Sequence, residues 1–266
     1  RHEPIQFGFW LAGEPVLHPE IVELVSIASS YGIKPAMHSN ATKMTRPLAE
    51  GLIKAGLHWL SFSFDGDNKE DYERLRTPAK YEDTIEKIRM FLRVREELGS
   101  KTPHVVIQNV VEYRGPEVHP RGAPVMADAN FRRQFDGTGV NEFKAILAHS
   151  WSGQLDGYGG VAPNIKDTGQ RWICIIPFRD MTISYNGDIV SCCGDLDGTN
   201  VIDNVVGKDF YEVWNGKGFQ KFRNAMLTDE IERWPLCGDC ERIWTTDPHP
   251  NDFPLKYEML RYKLRF

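Results

Sequence analysis

The chain has 266 residues, 41% of them hydrophobic and 26% charged, with a formal net charge of −5. A chain of this size buries a substantial core in one large domain or two smaller ones. Its mildly acidic balance, with no cluster of Lys and Arg, excludes the electrostatic footprint of a nucleic-acid or membrane-surface protein. No stretch approaches the roughly 18 apolar residues of a membrane-spanning helix, and the opening RHEPIQFGFW lacks the basic-then-apolar order of a signal peptide. The expectation is a cytoplasmic protein with no nucleic-acid and no membrane partner. The first residue is Arg and a strand-like run follows almost at once, so further sequence is expected upstream.

Ile5 to Leu11 reads as a strand ending at a Gly13-Glu14-Pro15 turn, and a helix starts at Pro19-Glu20 with Ile21, Leu24, Val25 and Ala28 on one face. Ile33 to Met37 is the next strand, and Thr45 with Arg46-Pro47 opens a helix through Leu48, Leu52 and Ile53 to Gly56. Trp59 to Phe64 makes a third strand closed by Asp65-Gly66, Tyr81 to Leu98 a long amphipathic helix, and Val105 to Val111 a fourth strand. Repeated strand–helix units of this length predict a parallel α/β sheet or barrel, with the active site at the C-terminal strand ends. Residues 114–139 and 149–170 then read as long loops around one more strand, Phe143 to Leu147.

From Trp172 the pattern becomes that of a hairpin: Met181 to Tyr185 and Asp188 to Ser191 flank Asn186-Gly187, a pair preferred in tight two-residue turns. Helical runs follow at residues 210–214 and 219–227. A domain boundary is expected between residues 150 and 172.

All five cysteines lie in the final third: Cys174, Cys192-Cys193 after the hairpin, and the C-x-x-C pair Cys237 and Cys240. A C-x-x-C pair can place two thiolates on one metal centre, and a hairpin can bring Cys174 and Cys192 to the same point, which completes a four-thiolate set. Spacing leaves zinc and an iron–sulfur cluster both open, because four thiolates serve either.

Resemblance narrows that choice. Phe7 through Gly13-Glu14-Pro15-Val-Leu-His18-Pro19 resembles the G-G-E-P-L-L-H-P segment after the second strand of radical S-adenosylmethionine enzymes, with Ala12 where the family usually has Gly. His38-Ser39-Asn40-Ala41 is similar to the family's T-N-G segment, Ser61 through Ser63-Phe-Asp65-Gly66 to its S-x-D-G, and Tyr72 to Arg76 to its Y-x-x-L-R. Cys174-x-x-Pro177, the Asn186-Gly187 hairpin with Cys192, Asp203-Asn204-Val205, Val213-Trp214-Asn215 and the Cys237/Cys240 pair resemble a SPASM/twitch auxiliary-cluster domain. No cysteine follows Cys240, which favours the one-cluster twitch form.

The resemblance implies an α/β fold in which residues 1–150 form a partial (β/α)6 TIM-like barrel lacking its first strand. Residues 151–171 would be a linker or substrate loop, 172–245 a small hairpin-plus-helix auxiliary-cluster domain, and 246–266 a tail. It implies S-adenosylmethionine as cofactor, bound by Gly13, Glu14, Pro15, Ser39, Asn40, Ser63, Asp65 and Arg76, with Ser63 and Arg76 on the cofactor carboxylate. It implies an auxiliary [4Fe–4S] cluster on Cys174, Cys192, Cys237 and Cys240. The family's catalytic [4Fe–4S] cluster sits on a C-x-x-x-C-x-x-C loop after the first strand, and no cysteine here precedes Cys174. That loop is therefore expected upstream, the rival being a degenerate, inactive member.

The implied activity is hydrogen abstraction by a 5′-deoxyadenosyl radical, with the auxiliary cluster relaying an electron and flavodoxin or ferredoxin as reductant. The substrate would be a peptide or a sugar or aminocyclitol-type metabolite. Cys193 is a candidate hydrogen-atom donor or alternative ligand, although its neighbour's alternation on a strand reads it as a small residue facing the other way. The alternative from a different class is a non-catalytic interaction module that binds zinc through four cysteines.

Overall fold

A computed structural model describes residues 4–111, 127–147, 171–238, 240, 243 and 253–254, and these fall into two compact units. The first, residues 4–111 and 127–147, holds β1 (Gln6–Phe9), α1 (Ile21–Ser30), β2 (Lys34–Ser39), α2 (Arg46–Lys54), β3 (Trp59–Asp65), α3 (Lys69–Leu75), α4 (Tyr81–Glu97), β4 (His104–Val111), α5 (Ala129–Arg133) and β5 (Glu142–Leu147). The strands make one sheet in the order β1-β2-β3-β4-β5, every neighbouring pair parallel. This is the parallel α/β architecture expected from the alternation of strand and helix.

Local chemistry starts the helices where caps stand. Thr45 Oγ1 accepts from the Leu48 N–H (3.4 Å) with Pro47 in the first turn of α2. Asn68 Oδ1 accepts from the Asp71 N–H (3.0 Å) to open α3, and Asp128 Oδ1 accepts from the N–H groups of Asn130 and Phe131 to open α5. α5 lies in the segment expected to be a loop. It forms because Asp128 caps it and buries Phe131 among Phe64, Phe135 and Phe143.

Strand alternation sorts the two faces of the sheet. Leu60, Phe62 and Phe64 of β3 enter one apolar cluster with Met37 of β2, Val105 and Ile107 of β4, and Val25, Leu52, Ile88 and Phe91 of the helices. The opposite face of β3 carries Trp59, Ser61, Ser63 and Asp65, with His38 opposite Ser61 in the register. His38 lies between Trp10 and Trp59, with ring centroids at 5.3 and 5.1 Å. Burial, helped by the charge of Lys144, pushes its pKa down from 6.5 to about 4, so the imidazole is neutral at pH 7.

The second unit holds β6 (Trp172–Ile173), α6 (Ile176–Arg179), β7 (Thr182–Ile183), β8 (Asp188–Val190), β9 (Val201–Asn204), α7 (Phe210–Trp214), α8 (Lys217–Leu227), α9 (Pro235–Gly238) and β10 (Phe253–Pro254). β7, β8 and β9 form an antiparallel sheet, and β6 pairs with β10. The hairpin expected from sequence thus gains a third strand. β10 falls within the stretch read as a tail, while residues 151–170 of the expected linker lie outside the described residues. The hairpin turn also differs from the two-residue form. The Ser184 N–H donates to Asp188 O and the Gly187 N–H to Ser184 O, leaving Tyr185, Asn186 and Gly187 in the loop. Gly187 alone of these takes a positive φ (+85°), whereas a type I′ turn needs two. A Cβ at Gly187 would also collide with Val206.

No described helix is long and apolar enough to cross a membrane. Phe64→Ala, which removes the ring stacked on Tyr72 at 4.2 Å, should cost about 3–5 kcal/mol in urea denaturation. His38 gives a pH signature. Its folded pKa lies below its unfolded value, so its contribution is intact above pH 6.5 and is lost as pH falls toward 4. The loss amounts to up to roughly 3 kcal/mol. Denaturation midpoints of wild type and His38→Gln should converge over that window, and parallel pH profiles would contradict the assignment.

Candidate functional site

The first constellation lies at the C-terminal strand ends of the first unit. Gly13, at φ +104°, turns the chain after β1. Glu14 then caps the short 3-10 helix Pro15–Leu17 through the Val16 N–H (3.5 Å) and accepts from the Asn40 N–H at 2.7 Å. Its carboxylate therefore ties the loop after β1 to the loop after β2. Asn40 Oδ1 accepts from the backbone and hydroxyl of Thr42 (2.9 and 2.6 Å), and Ser39 Oγ from the Ala41 N–H (3.1 Å). Ala41 sits at φ +61°, a left-handed conformation that a residue with a Cβ adopts at a cost.

Asp65 ends β3 and Arg76 caps the C-terminus of α3, and the structure brings them together: Arg76 Nε lies 2.6 Å from Asp65 Oδ2. The contact is an ion pair without hydrogen-bond alignment, because Arg76 Nε and Asp65 Oδ1 are both buried without a hydrogen-bond partner among the described residues. Ser61 Oγ and Asn109 Oδ1 share that condition. Ser63 sits between Ser61 and Asp65 on the same face of β3, half-buried. Asn109, which motif reading did not single out, stands opposite Phe64 in the register, on the helix-facing side of the sheet. Its Nδ2 donates to Asp67 Oδ1 (2.8 Å) and to Gly66 O (3.3 Å). Its signal was present as the polar Gln108-Asn109 pair inside the otherwise apolar β4. Arg76 Nε and Asp65 Oδ1 thus leave two orphaned polar atoms at the end of β3, where buried polar groups are normally paired.

The second constellation lies in the second unit. Cys174 follows β6, whose Trp172 N–H donates to Ile243 O at 2.8 Å, so that β6 runs beside the segment just past Cys240. Arg171 fastens the start of β6 to the end of α8 by donating to the carbonyls of Ala225, Met226 and Thr228. Cys192 follows β8, and Cys237 sits in α9, where its N–H donates to Trp234 O at 2.8 Å. Cys174, Cys192, Cys237 and Cys240 line one cavity, walled by Phe222, Met226, Leu236 and Ile243. All five cysteines are reduced, with no disulfide among them, and Cys193 is exposed and outside the cavity lining.

The thiols perturb one another. Burial first, then the neighbouring Cys193, Cys240 and Cys174, push Cys192 up to about 12, and burial with Cys192, Cys240 and Cys174 raises Cys237. Two N–H groups point at these sulfurs: Gly194 N donates to Cys192 Sγ at 3.3 Å and Asn200 Nδ2 to Cys237 Sγ at 3.5 Å. Among the described residues no three His, Cys, Asp or Glu side chains converge on a single-ion position. The sulfurs surround a space instead.

Two family models match the chain. One, described as the radical SAM superfamily, covers residues 1–111, and the other, described as SPASM, an iron–sulfur cluster-binding domain, covers residues 174–241. Similar curated proteins include an AdoMet-dependent heme synthase of Methanosarcina barkeri, 32% identical over 74 residues, which are 27% of this chain and 21% of that protein. Another is an S-adenosyl-L-methionine-dependent 2-deoxy-scyllo-inosamine dehydrogenase of Niallia circulans, 21% identical over 131 residues, 48% of this chain and 52% of that one. The chain thus spans about a fifth and about half of these relatives.

Among solved structures, BtrN in complex with AdoMet and 2-DOIA superposes with a TM-score of 0.51 at 15% identity, covering 93% of this chain and 78% of that one. Streptococcus suis SuiB bound to S-adenosylmethionine gives 0.50 at 17% identity, covering 87% and 60%. Both likenesses concern the fold. The family segments imply S-adenosylmethionine and [4Fe–4S] clusters as cofactors. The residues present fit both groups: orphaned polar atoms stand at the strand ends of the first unit, and four reduced thiols ring one cavity in the second. Residues 1–111 thus match the radical SAM superfamily and residues 174–241 a SPASM iron–sulfur cluster-binding domain.

Proposed function

We propose that this chain serves a radical S-adenosylmethionine oxidoreductase or maturase that removes hydrogen from a peptide or a sugar or aminocyclitol-type metabolite. In this reading Cys174, Cys192, Cys237 and Cys240 hold an auxiliary [4Fe–4S] cluster that relays an electron, with a flavodoxin or ferredoxin-type partner as reductant. The observation that carries it is the ring of four reduced thiols around one buried cavity, from which Cys193 is excluded. Four thiolates serve zinc as well as an iron–sulfur cluster, and the match of residues 174–241 to an iron–sulfur cluster-binding domain favours the cluster. A cluster whose irons all have protein thiolates has no free position for substrate, which leaves electron transfer as its role. The named dehydrogenase among the relatives supports net oxidation.

In this reading the chain's own residues would orient S-adenosylmethionine, whose chemistry, on one-electron reduction by the named reductant, would be cleavage of the C5′–S bond to methionine and a 5′-deoxyadenosyl radical. Asp65 holds Arg76 Nε, leaving the terminal guanidinium nitrogens for a bidentate pair with the cofactor carboxylate. Ser63, on the same strand face as Asp65, donates a hydroxyl to that carboxylate. The unpartnered oxygen of Asp65 accepts from ammonium or hydroxyl groups. Glu14 and Asn40 hold the two preceding strand-end loops together, so that Gly13, Pro15 and Ser39 keep their backbone groups at the mouth. Cofactor enzymes depend on such orientation of the reactive group and on exclusion of water.

Anaerobic reconstitution of the chain should load about four iron and four sulfide on these cysteines and give a brown protein. Cys174→Ser, Cys192→Ser, Cys237→Ser and Cys240→Ser should each lower that content, while Cys193→Ser leaves it unchanged. Stoichiometric zinc in a colourless protein would overturn the cluster reading. Arg76→Leu should weaken S-adenosylmethionine binding to the cluster-loaded protein by roughly 10- to 100-fold, the worth of a charge-assisted hydrogen bond. Unchanged affinity in calorimetric titration would remove Arg76 from the site.

A further inference from the structure

The loop between Cys192 and β9 contains more polar organisation than a connection of its length needs. Asp195 is 1% exposed and accepts from Thr199 N (2.7 Å), Asn200 N (2.9 Å) and Ser191 Oγ (3.3 Å). Asn200 is 2% exposed. Its Nδ2 donates to Cys237 Sγ at 3.5 Å and reaches Ser191 Oγ at 3.4 Å, while its Oδ1 is buried with no hydrogen-bond partner among the described residues. A buried amide that leaves its oxygen unsatisfied while aiming its N–H at a sulfur is costly unless the N–H···S contact is worth more than a neutral thiol makes it. A thiolate carrying part of a cluster's charge makes it worth more.

We propose that Asn200 is a positioning residue that raises the reduction potential of the cluster held by Cys237 and its partners, and that Asp195 holds Asn200 in place. The inference rests on the reading of the four cysteines as one cluster. The added electron of the reduced cluster is shared with its sulfurs, so an N–H donor stabilises the reduced form more than the oxidised form. Hydrogen bonds to the sulfurs are among the factors that set iron–sulfur potentials. The Gly194 N–H on Cys192 acts in the same direction from the backbone. The Ser191 side chain also hydrogen-bonds Cys237, and Asn200 is the N–H donor to that sulfur that a side-chain substitution can remove.

Asn200→Leu keeps the approximate volume and deletes the donor. Redox titration of the reconstituted full chain, followed by the EPR signal of the one-electron reduced cluster, should then show a lower potential. At a fixed poise the reduced-to-oxidised ratio should fall by roughly five- to tenfold, tenfold being about 59 mV for a one-electron couple. Iron and sulfide content should stay that of the wild type.

A measurement on the wild type keeps the test decisive if the variant loads poorly. With 15N-labelled asparagine, pulsed EPR of the reduced cluster should detect a 15N coupling, since Asn200 is the asparagine whose side chain reaches a cysteine among the described residues. An unchanged potential in a fully loaded variant, or no 15N coupling in the wild type, overturns the role of Asn200 and leaves the cluster reading intact. A wild-type chain that takes up zinc and no sulfide overturns the cluster reading, and this inference with it.

Discussion

The alternation of β3 governs the first unit. Leu60, Phe62 and Phe64 point into the apolar cluster under the helices, so Ser61, Ser63 and Asp65 must point the other way. A one-residue slip in register would exchange the two sets, burying a carboxylate among aromatic rings and exposing two phenylalanines. The packing of the helices thus specifies which polar groups reach the strand ends. Phe64 links the two sides, since its ring stacks on Tyr72 of α3, the helix whose C-terminus presents Arg76 to Asp65. Core and site share one strand and one register.

The second unit solves a different problem. Its small apolar cluster includes Cys174 and Cys237 with Phe222, Met226, Ile231 and Ile243. Burial and mutual proximity raise the pKa values of Cys192 and Cys237, so without a cation these two sulfurs stay protonated. A metal core reverses that balance by displacing the protons, which couples its binding to the folding of the surrounding segments. The four cysteines also bring β6, the end of β8 and α9 around one cavity, and the Arg171 clamp ties β6 to α8.

Much of this was legible in the residues themselves. Apolar periodicity marked the strands and long helices of the first unit because burial on one face enforces a period, and Thr45 and Gly56 marked the two ends of α2 through cap chemistry. The shorter elements were less visible. α5 depends on Asp128 and on a pocket for Phe131 assembled from β3 and β5, and β9 depends on pairing with β8; neither partner is local. The hairpin at Asn186-Gly187 was recognised, but its loop is one residue longer, because Asn186 keeps a negative φ and only Gly187 is left-handed.

The sequence by itself determined the chemical inventory: five thiols, their spacing, and polar residues in order at the ends of successive strands. It could not say which of the adjacent Cys192 and Cys193 faces the cavity, since that follows from the direction the chain takes as it leaves β8. Nor could it identify Asn109 and Asn200, two buried asparagines with no motif around them. Their roles arise from contacts across 42 and 37 residues of chain, to Asp67 and Cys237. Only tertiary packing creates such contacts, because the cost of burying an amide is met by partners that the chain brings together when it folds.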